Sequence, residues 1–482
     1  MKRRDFIKLS ANTALLLAIS SIGSPLYAGA TTTTPKTIIN LTLDGGPDFR
    51  HLIVPAYSSS NNDEDSYAYN FWKARGSIFG KTAPDDLKQV YSDNYDDITI
   101  SGVACGILKQ CGWLKNEINA GNVAIVNNVV ASTNRDHHHS SIIMENGFLD
   151  ANEHNLDVSG WLGRCAKSIS VDKSNVVSVS REVRLGCNGP HPTDIRSHDN
   201  SCVIANPNSR SMGLYNYDTQ ADLDKPSNSY KWSEKAILSR ALSSYYSVKA
   251  PLVPEGSIFR KPIEHEKKLR YFSSLIKERL DATPIPDAIA NFTIKDSPNE
   301  LDSSYFAKQL LALYDSYASQ DIFDMRLVSM EYNGWDSHKN LRDQIEPKLE
   351  DMFGINKGFD SVISELKKLR ADSYDNSVIV IAGEFGRQLK SNGSGGNDHG
   401  RGNSVIVIGG KVNGGFYGDA FPDYEIEHLN TKNKDIEGKT SMFRVFGEVA
   451  NWQNPNIANT IFGDLSSQIL ETGVDLSKMI NV

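Results

Sequence analysis

Five short segments of this sequence concentrate the side chains that bind cations or move protons. They are Asp44-Gly45-Gly46-Pro47-Asp48, Arg135-Asp136-His137-His138-His139-Ser140-Ser141, Trp335-Asp336-Ser337-His338, Gly383-Glu384-Phe385-Gly386-Arg387 and Asn397-Asp398-His399-Gly400. Carboxylate oxygens with imidazole nitrogens are the ligand set of zinc- or manganese-like ions, so a divalent metal centre is the chemistry these residue types suit. Asp336 and His338, two positions apart in an extended segment, point the same way and can grip one ion or each other. Glu384 follows a continuous apolar run directly, where a lone carboxylate is costly, so it is expected to be metal-bound or paired. Asp398 and His399 lie among Gly393, Gly395, Gly396, Gly400 and Gly402, which admit a ligand close to the backbone and also make ordinary loops. Asp44 can serve an ion or accept turn hydrogen bonds. If His137 to His139 open a helix, one or two of them at most can face a cleft.

To act together these segments need a frame that brings them to one edge. Thr37 to Leu43 reads as a strand that delivers Asp44, and Val123–Val130, Leu327–Tyr332, Ser377–Ala382 and Ser404–Ile408 are similar runs rich in Val and Ile. Such continuous runs, in place of an apolar–polar alternation, suit strands covered on both faces in a parallel sheet. Between them, Leu349 to Leu369 places Leu349, Met352, Phe353, Phe359, Val362, Ile363, Leu366 and Leu369 largely at helical steps, with weaker patterns in Leu269–Leu280 and Phe306–Tyr317. The expected fold class is α/β, a mostly parallel central sheet flanked by helices on both faces. Ligands in open α/β sheets bind outside the carboxyl ends of the strands, so the five segments are expected to converge there.

The 482 residues carry 51 Lys and Arg against 59 Asp and Glu, a formal charge of −8, so nucleic acid is not an expected partner. With 39% hydrophobic and 23% charged residues, the chain is neither a disordered polymer nor a membrane bundle. Residues 1–30 have the make-up of an export signal: basic Lys2, Arg3, Arg4 and Lys8, apolar Ala14–Ile19, and small residues at Ala28-Gly29-Ala30. Arg3-Arg4-Asp5-Phe6-Ile7-Lys8 is similar to the twin-arginine pattern, and the apolar stretch is too short to span a bilayer. The expected location is therefore periplasmic or secreted, with the twin-arginine translocation machinery as a partner and no stable transmembrane anchor. Residues 31–482 read as one domain with polar insertions near 58–66 and 206–233. Five cysteines, Cys105, Cys111, Cys165, Cys187 and Cys202, are few and odd in number. Cys105 with Cys111 or Cys187 with Cys202 could pair, but buried small hydrophobes are the expectation.

The segments are also similar, in order and spacing, to the motifs of a known family. Gly45-Gly46-Pro47-Asp48 with Leu52-Ile53-Val54-Pro55, Arg135-Asp136-His137 with Met144-Glu145-Asn146-Gly147, Gly334-Trp335-Asp336-Ser337-His338, Glu384-Phe385-Gly386-Arg387 and Gly395-Gly396-Asn397-Asp398-His399-Gly400 resemble those of DUF1501. These are exported bacterial proteins grouped with the alkaline phosphatase-like fold of sulfatases and phosphomutases. The resemblance spans roughly Thr37 to Asp464. It implies that Asp44 or Asp48 takes the role of a first-strand metal ligand, Asp336 and His338 a metal pair, Glu384 a second-metal carboxylate, and Asp398-His399 the final ligands. Phe385 stands where an imidazole would complete a second metal site, and the nucleophile region offers Asp136, His137, Ser140 or Ser141 with no single choice. Arg135 and Arg387 could hold the oxygens of an anion. The implied activity is metal-dependent hydrolysis of a phosphate or sulfate ester with a degenerate, single-metal site. The alternative is a non-catalytic periplasmic or envelope protein that binds an anionic small molecule or glycan in the same cleft.

Overall fold

Apolar runs with no polar face have to be covered twice, and the central strands are covered twice. The computed structural model describes residues 34–58, 63–132, 134–148, 159–169, 176–179, 184–189, 202–206, 210–214, 244–245, 248–254, 275–293, 301–320, 322, 325–431 and 434–481. The expected export signal at 1–30 and most of the expected insertion at 206–233 lie outside the described residues. Ten strands form the main sheet: β1 (Thr37–Asp44), β2 (Val123–Val130), β3 (Val176–Ser178), β4 (Cys202–Asn206), β5 (Ser211–Leu214), β6 (Leu327–Asn333), β7 (Ser377–Ala382), β8 (Asn403–Ile408), β9 (Gly415–Tyr417) and β10 (Thr440–Ser441). Their order is β9-β2-β8-β7-β1-β6-β3-β4-β5, with β10 also paired to β2. The sheet is mixed and mostly parallel: β1 runs parallel to both β6 and β7, and only the β7–β8, β8–β2 and β4–β5 pairs are antiparallel.

Because side chains alternate along a strand, each run feeds two cores. Ile39, Leu41, Leu43, Val328, Met330, Ile379 and Ile381 face one side. There they meet the helices Leu301–Ala318, Leu341–Phe353 and Gly358–Leu369 through residues such as Phe306, Leu310, Leu349 and Val362. Ile38, Val378, Val380, Ala382, Val405 and Val407 face the other, against Phe443, Phe446 and Val449 of the helix Met442–Gln453. The expected helical stretch Leu349–Leu369 is two helices. The first ends at Gly354, and Asn356 (φ 58°) and Gly358 (φ 33°) reverse the chain before the second. Their shared apolar spacing hid the break, because both helices pack on the same core. Among the described residues no helix is long and apolar enough to cross a membrane.

The topology gathers one set of chain ends. β1, β2, β6 and β7 point the same way, and β8 begins at that edge because it runs antiparallel to its two neighbours. Asp44, the segment before His137, Asp336, Glu384 and the His399–Gly400 turn all therefore emerge on one side of the sheet.

Cys105, Cys111, Cys165 and Cys187 are buried and unpaired, so neither Cys105–Cys111 nor Cys187–Cys202 forms a bridge. Burial pushes the Cys105 and Cys165 thiols up to about 12 and raises Cys111 as well, which removes their thiolate reactivity. Denatured, unreduced protein is expected to yield at least four titratable thiols per chain. The same four should react at least tenfold more slowly in the native state, as a thiol-reagent time course would show.

Candidate functional site

A buried carboxylate organises the site. Glu384 is 1% exposed, and its oxygens accept hydrogen bonds from the Gly45 amide (3.0 Å) and the Gly46 amide (3.2 Å). Both glycines have positive φ, and a side chain on Gly45 would strike the Trp335–Asp336 backbone while one on Gly46 would strike the Phe385 ring. The third partner of Glu384 is His137 Nδ1 at 2.6 Å. His137 is the first residue of the helix His137–Asn146, whose entry is fixed by Asp136: the Asp136 carboxylate accepts from the His139 amide at 2.9 Å. The Glu384 contact, more than burial opposing it, raises the His137 pKa above the usual imidazole range.

Three more groups meet His137. His399 Nδ1 lies 2.9 Å from the Arg135 carbonyl oxygen, which can only accept, so Nδ1 carries the proton and Nε2 faces the cluster. His338 Nδ1 lies 3.0 Å from Asp398 Oδ1, an arrangement that again turns Nε2 inward. His338 Nε2 and His399 Nε2 are 2.9 Å apart, and each is 3.1 Å from Asp336 Oδ1. Asp336 Oδ2 is 3.6 Å from His137 Nε2, an atom that is buried and has no hydrogen-bond partner among the described residues. His137, Asp336 and His399 each present a ligand atom within 4.8 Å of the others. Burial works against ionisation of Asp336, but the Arg387 hydrogen bond and charge, with His399, hold its carboxyl at about 2. Burial also lowers the His399 pKa. Phe385, 1% exposed, is the floor under this cluster: its ring centroid is 4.7 Å from those of both His137 and His399. It is thus buried, as a residue at a strand end usually is, and still touches the imidazoles.

Several residues expected in the site are placed otherwise. Asp44 is held by Arg184, which donates to both its oxygens (2.6 and 2.9 Å) and also binds Glu145 and Glu331. Asp48 is buried against Arg75 and Asn397 (2.6 Å). Burial alone would raise its pKa, but the Arg75 charge brings it below the usual carboxylate range. Neither aspartate belongs to the group of ligand atoms formed by His137, Asp336 and His399. Arg387 cannot hold an anion, because its guanidinium is 2% exposed and spent on the Gly46 (2.8 Å), Gly45, Trp335 and Asn397 carbonyls and on Asp336 (2.6 Å). Ser140 is fully buried and donates to the Asn134 carbonyl (3.1 Å), and Asp136 is occupied as a helix cap. His138 is exposed, and only His137 of the triplet reaches the cluster. Arg135 is partly exposed at the rim and shares the buried Asp435 with Arg401.

Residues 265–435 match the DUF1501 family model, described as a protein of unknown function. The match supports DUF1501 and takes in Asp336, His338, Glu384, Arg387, Asp398 and His399, while Asp44, Asp48 and Arg135–Ser140 precede it. No curated protein matches the chain. Arg184, Arg75 and Asp435 carry no signal in the sequence, because single charged residues in unpatterned segments give no sign of partners 140, 27 or 300 positions away. Glu145, in contrast, sits inside one of the motifs with DUF1501 resemblance.

The pairing of Asp48 leads to a stability prediction. Asp48→Asn leaves Arg75 buried without its counter-charge, so unfolding by urea should show a loss of about 3–5 kcal/mol at pH 7. A depressed folded pKa contributes stability above the unfolded Asp value, about 3.9, and loses it as pH falls through the folded value. The gap between wild type and variant should therefore be constant above about pH 4 and close below it.

Proposed function

We propose that this protein is an exported, metal-dependent hydrolase of phosphate or sulfate esters, with one divalent cation, zinc or manganese, held by His137, Asp336 and His399. One observation carries the reading: when the imidazoles are neutral their inward nitrogens present lone pairs, and these converge with a carboxylate oxygen. His399 Nε2 and His338 Nε2, both with their Nδ1 atoms committed elsewhere, stand 2.9 Å apart and 3.1 Å from a carboxylate oxygen, beside the unpartnered His137 Nε2. Atoms that all accept repel one another, and a cation turns the arrangement into an attraction; ligand atoms around a tetrahedral zinc are about 3.3 Å apart. Glu384 on His137 and the Arg135 carbonyl on His399 are the outer partners that metal-bound imidazoles require.

Two imidazoles and one carboxylate leave coordination positions open, as catalytic sites do. A cation so held supplies Lewis acidity toward an ester oxygen and acidifies a water. The chain's own residues then have separate tasks. His338, oriented by Asp398, is placed to take a proton at Nε2. Arg135, partly exposed at the rim and paired with an aspartate that Arg401 also contacts, is placed to meet an anion. Arg387 fixes Asp336 and does not touch substrate. The alkaline phosphatase-like fold and the twin-arginine route of export belong to the same proposal: the mostly parallel sheet with its cluster outside the strand ends supports the first, and the residue pattern at 1–30 supports the second.

The inward turn of Ser140 favours one further reading, a metal-bearing binding protein without turnover. Metal analysis and assay of 4-nitrophenyl phosphate and sulfate separate the two. The hydrolase should carry one metal per chain and release nitrophenol. His338→Ala should keep the metal with less than a tenfold loss of affinity while lowering turnover by about 10²–10⁴. Asp336→Asn should lose the metal, and Glu384→Gln should weaken it by about 10–100-fold. Metal content that is unaltered in Asp336→Asn overturns the site, and a loaded protein without turnover leaves the binding reading.

A further inference from the structure

We propose that Asp435 is a positioning residue for the imidazole cluster: it clamps the two segments whose meeting decides which nitrogen of His399 carries the proton. One oxygen does most of this. Asp435 Oδ2 accepts from Arg135 Nη2 at 2.8 Å, from the Arg401 amide at 2.7 Å and from Arg401 Nε at 3.3 Å, whereas Oδ1 is met by Arg401 Nη2 at the long distance of 3.5 Å. Arg135 supplies the carbonyl that faces His399 Nδ1, and Arg401 follows His399 by two residues, so the carboxylate holds both sides of that 2.9 Å contact. Asp435 is buried and its own backbone is tied down. The Leu389 amide donates to the Lys434 carbonyl (3.3 Å), the Gly402 amide to the Ile436 carbonyl (3.2 Å), and His428 Nδ1 lies 3.1 Å from the Asp435 carbonyl oxygen. The fit beneath the His399–Gly400 turn is close enough that a side chain on Gly400 would stand 2.9 Å from Asp435 Cβ.

A neutral imidazole has one ring proton, and its hydrogen-bond partners choose the nitrogen that carries it. At His399 two partners compete. The Arg135 carbonyl draws the proton to Nδ1, and Asp336 Oδ1, 3.1 Å from Nε2, draws it there. A carboxylate is the stronger acceptor, so a carbonyl free to move away loses the contest. Two contacts tilt it back: Arg387 donates to the same Asp336 oxygen at 2.6 Å, and Asp435 keeps the carbonyl within reach of Nδ1. Without the clamp the proton passes to Nε2, and the lone pair that a cation needs is lost. The tautomer follows from these contacts alone, and only its consequence for zinc rests on the metal reading above. Because Oδ2 takes the three nearer donors, Asp435→Asn keeps the clamp with its amide oxygen in that place while removing the charge. Clamp and charge can therefore be separated.

Nitrogen NMR of metal-free protein labelled at the histidine rings, at alkaline pH and with His399→Gln to assign the signal, reads the tautomer directly. Wild type and Asp435→Asn should both show the His399 proton on Nδ1, and Asp435→Ala should show it mainly on Nε2. Zinc titration should give a loss of affinity of about tenfold for Asp435→Ala and under about threefold for Asp435→Asn. A role in stability alone groups the two variants together, since both remove the charge that faces the arginines. If Asp435→Ala fails to fold, Arg135→Met cuts the same clamp at a partly exposed side chain and should move the proton likewise. A wild-type His399 with its proton on Nε2, an unshifted proton in the variant that cuts the clamp, or Asp435→Asn behaving like Asp435→Ala overturns the proposal. The expected tautomers in a wild type that binds no zinc uphold it and overturn the metal reading instead.

Discussion

A carboxylate with almost no exposure to water has to collect its hydrogen bonds from whatever folds around it, and Glu384 collects three from chain segments that are remote in sequence. Two come from the Gly45-Gly46 turn, 339 and 338 positions away, and one from His137, 247 positions away. The end of β1, the end of β7 and the start of the helix His137–Asn146 are thereby pinned to one another. Losing any of these partners strands a buried charge, a penalty well above the value of an ordinary hydrogen bond. The imidazole geometry is a by-product of that demand: Glu384 accepts the hydrogen bond from Nδ1 and Nε2 is left facing Asp336 and His399.

Arg387 plays the matching role with opposite charge. Its guanidinium is buried under Gly45, Gly46, Trp335 and Asn397 and reaches Asp336, so one cation closes the loops after β1, β6 and β7 from beneath. Arg184 with Asp44, Glu145 and Glu331, and Arg75 with Asp48, repeat the device at the sides. The cluster thus sits in a frame of arginine–carboxylate contacts. Among its carboxylates, Asp336 keeps an oxygen directed at the imidazoles.

Much of the frame was legible in the residues. Ile38 to Leu43 and Val378 to Ala382 had to be covered on both faces, and the structure buries them between two cores. The antiparallel β8 was not legible, because Val405–Ile408 is as continuously apolar as the strands that run parallel to one another. Nor was the split between Phe353 and Gly358, whose flanking residues serve one core. In the site, residue type marked Asp336, His338 and His399 for convergence, and the structure brings them together. It marked Asp44 and Asp48 equally, and there it could not say whether a metal or an arginine would neutralise them. The answer lay in Arg184 and Arg75, which no local pattern links to either aspartate.

The central place of β1 has a cost in time. It is the first of the described strands, and both of its neighbours come late: Leu327 to Asn333 on one side and Ser377 to Ala382 on the other. About 340 residues must therefore be synthesised after Thr37 before β1 can be enclosed, roughly 20–70 s at ordinary elongation rates. Both edges of this apolar strand stay open until Leu327–Asn333 is made and one of them until Ser377–Ala382 follows, in a topology dominated by distant pairings that fold slowly. Enclosure of β1 is thus a late event in the making of the chain, set by the arrival of Ser377–Ala382.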